Sequence, residues 1–236
     1  MLYRHVPTRY GIIKRIGRIM LNYRVVIAAF LALFLVTPIV ASADLKKLPT
    51  PSGNFADLKI NSEDFTLGPE DAKVVLVEYA SLTCPHCAYF HTEVLPSIKK
   101  EFIDTGKIRY VYRDFPLDRL ALGGAMIARC SGKDKFFGFI ETFYKAQSSW
   151  SRAAKPAEAL AKLSRLGGMG QDKFNSCLQN SKLQNDILQQ RLQAVNDFGV
   201  QTTPTIFVNG ARFNGGLTLG QLRTLLENII SKRSKI

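Results

Sequence analysis

The chain has 236 residues, of which 46% are hydrophobic, and a formal net charge of +13 at pH 7. This length and apolar content suit one globular domain, or one domain with an insertion, and the sequence has no repeats or low-complexity tracts. Six basic residues lie within the first 24, and without them the chain carries +7 with its bases dispersed. No nucleic-acid-binding motif accompanies these bases, so nucleic acid is not an expected partner.

The first 43 residues have the pattern of a secretory signal peptide. A basic region without acids precedes an unbroken apolar stretch over residues 25–36, and Ala41-Ser42-Ala43 follows. These small residues fit the Ala-x-Ala rule, so we predict cleavage after Ala43 and an exported, periplasmic protein. An uncleaved anchor is the alternative, but the stretch is shorter than the roughly 20 residues of a spanning helix. Translation from Met20 instead of Met1 would leave a signal peptide of ordinary length.

The next segments lead into a predicted central strand. Residues 44–63 contain several Pro, Ser and Gly residues and are predicted to be a flexible leader. Asp64–Leu67 is a candidate for a short strand. Residues 74–79 are apolar apart from Glu78, which is typical of a strand buried on both faces.

Cys84-Pro85-His86-Cys87 follows this strand and is the most informative motif in the chain. A Cys-x-x-Cys that opens a helix places the first sulfur near free backbone N–H groups and the positive end of the helix dipole, which favours thiolate. Pro85 suits the first helical turn. A protonated His86 would lower the pKa of Cys84 further. The motif therefore predicts a redox-active dithiol.

Two other interpretations of the motif have less support. Cys84, Cys87, His86 and His91 are possible zinc ligands, but the chain has no second close pair of Cys or His to complete a structural zinc site. A purely structural disulfide between Cys84 and Cys87 would close too small a loop to stabilise the fold appreciably. We therefore expect neither a metal nor another cofactor.

The remaining elements predict an interrupted α/β fold. The helix of the motif should extend to about Ile103, and a strand over residues 108–112 would complete a βαβ unit. A long stretch with helical spacing follows, and then Asn209-Gly210, a strong hairpin signal, precedes a final amphipathic helix. We predict a mixed sheet covered by helices. The proposed division is one domain over residues 64–116 and 199–236, with an all-helical subdomain over residues 117–198.

Cys130 and Cys177 both lie in the helical stretch. Four cysteines allow three pairings, but if Cys84 and Cys87 form the working pair, these two remain. An oxidising compartment favours a disulfide between them over two buried thiols. Closing their long loop would stabilise the fold by about 4 kcal/mol in the chain-entropy model.

The chain resembles the DsbA family of exported thiol:disulfide oxidoreductases, in which a helical subdomain interrupts a thioredoxin fold. The resemblance rests on residues 74–79 with the Cys84 to Cys87 motif, and on residues 199–210, GVQTTPTIFVNG. Thr202 departs from the family, whose members often have Gly there. The resemblance implies that Cys84 is the nucleophile and Cys87 the buried resolving thiol.

The resemblance also assigns roles to three further residues. Pro204 is similar to the family's cis-proline, which faces the dithiol, and it would leave the backbone of Thr203 free to pair with an extended substrate. The hydroxyl of Thr203 is expected to contact Cys84, although Thr203 also suits an ordinary strand start. Glu78 matches a buried acid that could take the proton of Cys87, with a solvated glutamate at a sheet edge as the alternative.

His91, one helical turn after Cys87, is predicted to be a surface or structural histidine. Trp150, Tyr79 and Phe90 are expected in the core.

The function implied is oxidation of unfolded or partly folded exported proteins that carry free thiols. A membrane partner of the DsbB type would then reoxidise the pair. Two alternatives stay open. One is a disulfide isomerase or reductase, and the other is a thioredoxin-fold chaperone or binding module with an idle dithiol.

Overall fold

The computed structural model describes residues 50–233. The predicted signal peptide, the cleavage site after Ala43, both candidate start methionines and residues 44–49 of the predicted leader lie outside the described residues. Within the described part, no helix has the length and apolar character needed to cross a membrane.

A five-stranded mixed sheet forms the centre of the fold. Its strands are β1 (Phe65–Leu67), β2 (Val75–Ala80), β3 (Arg109–Asp114), β4 (Thr205–Val208) and β5 (Ala211–Asn214). Their order across the sheet is β1-β3-β2-β4-β5, with β2 and β3 parallel and the other pairs antiparallel. The predicted α/β class with a mixed central sheet is therefore confirmed.

The first helix, α1, follows β2 after a short loop and is continuous over residues 85–103. It consists of Pro85–Tyr89 and Leu95–Ile98 in α geometry, alternating with Phe90–Val94 and Lys99–Ile103 in π geometry. Pro96 has no N–H, so this residue cannot donate the usual backbone bond to the preceding turn. The predicted extent of the helix is confirmed, but its π segments were not expected.

Seven further helices follow in the described chain: α2 (Arg119–Cys130), α3 (Lys133–Lys145), α4 (Gln147–Ser151), α5 (Pro156–Leu166), α6 (Gln171–Leu178), α7 (Ser181–Phe198) and α8 (Leu219–Arg233). The side chains of Asp118 and Asn180 cap α2 and α7 by accepting from Ala121 N and Leu183 N. Gly199 ends α7 in the left-handed conformation that glycine adopts without strain.

The two faces of β2 pack into different clusters of the core. Leu76 and Ala80 belong to the larger cluster, which includes Cys87 and the apolar residues of α1. Val77 and Tyr79 belong to a second cluster on the opposite face. Because successive side chains of a strand point to opposite faces, Glu78 points to the same face as Leu76 and Ala80. This register directs its carboxylate towards α1.

Part of the segment predicted as a flexible leader is bonded to the sheet. The backbone of Phe55 donates to Gly210 O at 2.8 Å, and that of Ser52 donates to Arg212 O at 2.9 Å. The ring of Phe55 also meets the rings of Phe198 and Phe207 edge-on. Gly210 has a φ of +84°, and a side chain there would collide with the carbonyl oxygen of Phe55. The sequence prediction did not anticipate these contacts.

The structure contains a disulfide between Cys130 and Cys177. The bond joins the end of α2 to α6 across 47 positions of sequence, with a Cα–Cα distance of 5.9 Å. Cys84 and Cys87 are free thiols. Trp150, Tyr79 and Phe90 are buried in the core, as predicted.

Candidate active site

The dithiol lies at the start of α1, where the chain leaves β2. Cys84 is the N-cap residue, with extended backbone angles, and Pro85 occupies the first turn. Cys84 retains 6% of its surface exposed, whereas Cys87 is fully buried. Cys84 is therefore the less deeply buried of the two cysteines, and Cys87 lies in the core.

The surroundings of Cys84 stabilise its thiolate. The pKa of Cys84 is lowered from 9.0 to about 5, chiefly by a hydrogen bond from the Cys87 thiol. Thr203 and the backbone N–H groups of Cys87 and His86 lower this pKa further, against the opposing effect of burial. The Cys84 sulfur is thus ionised at neutral pH and is a nucleophile and a good leaving group.

Cys87 is shifted in the opposite direction. Burial raises its pKa well above the ordinary thiol value, and the hydrogen bond to Cys84 and the charge of Glu78 raise the pKa further. Cys87 is therefore a neutral thiol near pH 7. The two sulfurs of the motif have different protonation states, so their chemical roles differ.

Thr203 and Pro204 lie beside Cys84. Because Tyr79 near the end of β2 pairs with Thr205 at the start of β4, the residues before β4 reach the start of α1. The peptide bond between Thr203 and Pro204 is cis, and the Thr203 carbonyl oxygen is 3.3 Å from the Cys84 sulfur. The Thr203 hydroxyl is buried and has no other hydrogen-bond partner in the described structure, so it is available to donate to the thiolate.

Glu78 is at the centre of a buried polar cluster. Its Oε2 atom accepts hydrogen bonds from the hydroxyl of Tyr110 and from Nε2 of His91, the latter at 3.0 Å. Its Oε1 atom is buried without a hydrogen-bond partner in the described structure. Glu78 is 0% exposed, so the alternative of a solvated glutamate at a sheet edge is wrong.

His91 is buried, and the surface position considered for it is wrong. Its ring stacks on that of Tyr144 with 4.2 Å between centroids, and it lies in the first π segment of α1. Cys87, His91, Val94 and Ile98 are all buried, at spacings typical of one helix face. That spacing was the sequence signal that could have placed His91 beside the strand that carries Glu78.

His86 has an exposed side chain. Its backbone N–H is among the groups that lower the pKa of Cys84. The predicted contribution of its protonated ring stays a prediction.

Gln147 is a site residue that no sequence pattern indicated. From α4 of the helical region, its side-chain nitrogen donates to the carbonyl oxygens of Leu82 and Cys84, both at 2.9 Å. Gln147 is buried, and these bonds hold the loop between β2 and α1. A single glutamine within a helical stretch gives no sign of such a role, because its partners are backbone atoms 65 and 63 residues away.

Within residues 50–233, no group of three or more His, Cys, Asp or Glu side chains is arranged to hold a metal ion.

Comparisons with known proteins agree with this geometry. Residues 61–228 match the family model described as Thioredoxin. A Rickettsia bellii protein named as a protein-disulfide oxidoreductase is 37% identical over 155 residues, which is 65% of this chain and 60% of that protein. A Rickettsia conorii protein with a similar name is 32% identical over 191 residues, which is 80% of this chain and 69% of that protein.

A solved structure shows the same fold. The crystal structure of Wolbachia pipientis alpha-DsbA1 has a TM-score of 0.70 and 31% identity, and the match covers 74% of this chain and 94% of that one. The chain therefore belongs to the thioredoxin family and, within it, to the protein-disulfide oxidoreductases of the DsbA type. The resemblance inferred from the sequence is confirmed.

Proposed function

We propose that this chain is an exported thiol:disulfide oxidase, which donates the Cys84–Cys87 disulfide to unfolded or partly folded proteins with free thiols. The observation that carries the proposal is the opposite shift of the two thiol pKa values, to about 5 for Cys84 and well above the ordinary value for Cys87. The names of the relatives in Rickettsia support the reaction class.

The reaction is a two-electron exchange of disulfide bonds. A substrate thiolate attacks the Cys84 sulfur, the Cys84–Cys87 bond breaks, and Cys87 leaves and takes up a proton. A second substrate thiolate then attacks the substrate sulfur of the mixed disulfide. The substrate disulfide forms and Cys84 departs as a thiolate, so the substrate has lost the two electrons that the enzyme has gained.

Stabilisation of the Cys84 thiolate favours this direction. Since only the reduced enzyme contains that thiolate, every interaction that lowers the pKa of Cys84 stabilises the reduced form relative to the disulfide. A lower pKa also makes Cys84 a faster leaving group. The oxidised enzyme is therefore expected to give its disulfide away.

The neighbouring residues have supporting roles in the proposal. The backbone at Thr203 and Pro204 would pair with an extended segment of the substrate close to the Cys84 sulfur. Glu78 would exchange a proton with Cys87, and the ring of His86 would add positive charge near Cys84. The proposed division into a thioredoxin domain (64–116 and 199–236) and a helical insertion (117–198) is supported by strands confined to the first part and helices α2 to α7 in the second.

The proposed location is the periplasm, supported by the signal-peptide pattern of residues 1–43. The bond between Cys130 and Cys177 is of the kind that persists outside the reducing cytosol. A membrane oxidase of the DsbB type is the proposed partner for reoxidising the dithiol, on the strength of the family resemblance.

The test is the redox equilibrium of residues 44–236 with a glutathione buffer. We expect a reduction potential well above that of thioredoxin, about −270 mV. A potential near or below that value would contradict donation and favour a reductase. If the dithiol were idle, alkylation of Cys84 would show an ordinary thiol pKa of about 8.5 and Cys84→Ser would leave activity intact.

A further inference from the structure

The buried cluster around Glu78 is built asymmetrically. Both hydrogen-bond donors of the cluster, the Tyr110 hydroxyl and His91 Nε2, are directed at the same carboxylate oxygen, Oε2. The other oxygen, Oε1, is buried and has no hydrogen-bond partner in the described structure. A buried carboxylate oxygen without a partner costs free energy, so its presence calls for an explanation.

Cys87 is the group whose proton this oxygen would accept. Glu78 shares its strand face with Leu76 and Ala80, and these two residues pack in the core cluster that contains Cys87. Burial raises the pKa of the Cys87 thiol, and the charge of Glu78 raises this pKa further. Cys87 must lose its proton before its sulfur can attack, and it is fully buried from water.

We propose that His91, with Tyr110, is a positioning residue that occupies Oε2 of Glu78 and so reserves Oε1 as the acceptor for the proton of Cys87. The inference rests on the proposed function, because it concerns the step in which the enzyme regains its disulfide. A structural histidine would only fill space, whereas this one fixes which oxygen of the carboxylate is free.

In the mixed disulfide of Cys84 with an oxidising partner, Cys87 gives its proton to Glu78 Oε1 and its thiolate attacks the Cys84 sulfur. The Cys84–Cys87 bond forms while the bond from Cys84 to the partner sulfur breaks. The partner sulfur leaves with the electron pair and takes up the proton from Glu78, so Cys87 is oxidised and the partner is reduced to a thiol.

The ring of His91 is enclosed by side chains from several elements of the fold. The groups that face it are Glu78 from β2, Tyr112 from β3, Tyr144 from α3 and its helix neighbour Phe90. Burial raises the pKa of Tyr112 and of Tyr144 well above the ordinary tyrosine value, so both stay neutral. The His91 side chain retains 4% of its surface exposed and that of Glu78 none.

The experiment measures the two steps of reoxidation separately. Reduced protein is mixed with excess oxidised glutathione from pH 5 to 8, acid-quenched, and analysed by mass spectrometry for the glutathione adduct on Cys84 and for the closed disulfide. In His91→Phe, which keeps a ring over Tyr144, we expect the adduct to decay about tenfold more slowly, a modest part of the usual acid–base contribution. Formation of the adduct should stay within about twofold, because Cys84 keeps its environment.

Two further variants separate positioning from packing. His91→Gln retains an N–H donor and should recover a decay rate within about threefold of wild type. Tyr112→Phe is the matched control, since its hydroxyl pairs with that of Tyr144 and not with Glu78. It should leave the decay rate and its pH profile unchanged, even if its melting temperature falls.

The outcomes distinguish the two proposals. If wild-type protein forms no adduct with oxidised glutathione, the proposed function itself fails. If wild-type protein passes through both steps and His91→Phe resolves its adduct at the wild-type rate, only the positioning role is overturned. Equal slowing of both steps would also overturn it. Should His91→Phe not fold, Tyr110→Phe removes the other donor to Oε2 and must slow the same single step.

Discussion

The chain contains two pairs of cysteines whose surroundings differ. Cys84 and Cys87 are three positions apart at the start of a helix, with Cys84 slightly exposed, Cys87 fully buried and their pKa values moved in opposite directions. Cys130 and Cys177 are 47 positions apart and join two helices of the helical region. The first pair is surrounded by hydrogen-bond donors and a carboxylate, and the second by the packed ends of α2 and α6.

The difference shows how position decides what a disulfide does. A short pair at a helix start closes a loop too small to restrict the unfolded chain, so its bond contributes little to folding and is free to be exchanged. A pair that closes a loop of 47 residues restricts the unfolded chain by about 4 kcal/mol in the chain-entropy model. Disulfide exchange is therefore the role of Cys84 and Cys87, and stabilisation of the fold is the role of Cys130 and Cys177.

Replacing Cys84 should have the largest effect. We expect Cys84→Ser to lower the rate of oxidation of a dithiol peptide by at least about 10³-fold, because the attacking and leaving sulfur is lost. Cys87→Ser is the informative companion, since it should still form mixed disulfides through Cys84 and accumulate them. Oxidation that survives Cys84→Ser would mean that the second pair also exchanges.

Removing the second pair should affect stability and not exchange. For the double variant Cys130→Ala with Cys177→Ala, urea denaturation should give a free energy of unfolding lower by about 2–4 kcal/mol. Its glutathione equilibrium at Cys84 and Cys87 should be unchanged. A changed glutathione equilibrium would contradict this separation of roles, because the Cys130–Cys177 bond would then influence the redox equilibrium of Cys84 and Cys87.

Gln147 connects the helical region to the loop that carries Cys84. It belongs to the helical region but bonds the carbonyls of Leu82 and Cys84. Gln147→Leu leaves these buried carbonyls without a donor, so we expect a loss of about 1–3 kcal/mol in unfolding free energy and slower exchange. Gln189→Leu, at an exposed position of α7, is the control and should change neither. Equal effects of the two variants would contradict a specific role for Gln147 in holding the loop between β2 and α1.

The smallest predicted effect is a pH dependence. Alkylation of Cys84 by iodoacetamide should be constant from pH 6.5 to 8, half-maximal near pH 5 and about tenfold slower at pH 4 than at pH 7. Because folding lowers the pKa of Cys84, the Cys84 thiolate stabilises the folded, reduced protein. This stabilisation is complete above pH 9.0, the ordinary thiol pKa, and it is lost as the pH falls through about 5. Reduced protein should therefore melt at a higher temperature than oxidised protein at pH 7, and the difference should shrink at pH 4.

Much of the fold could be predicted from local patterns. The hairpin at Asn209-Gly210, the helix of residues 85–103 and the strand before the motif were all indicated, with β2 displaced by one residue from the expected bounds. Each of these has a signal within a few residues, such as a turn dipeptide, a cap or an apolar run. The π segments of α1 carried no such signal, because no local motif marks where the backbone changes from i→i+4 to i→i+5 hydrogen bonds.

The site was predictable where its residues belong to the motif or to the segments that carry the family resemblance. Cys84 and Cys87 followed from helix-start chemistry, and Thr203, Pro204 and Glu78 from the family resemblance. Gln147 and Tyr110 depend on how distant elements meet, which a single sequence does not encode in any short pattern. His91 was visible in the helical spacing, but a histidine alone does not reveal whether its partner is water or a buried carboxylate.

The segment before β1 has a practical consequence for handling the protein. β5 is an edge strand, and the backbone of residues 52–55 bonds to it while Phe55 fills a gap between aromatic rings. A shortened recombinant chain that starts at residue 64 would uncover both an open strand edge and an apolar hollow, the combination that promotes aggregation. Retaining residues 50–63 should therefore improve the yield of monomer on gel filtration, although these residues lie outside the predicted domain.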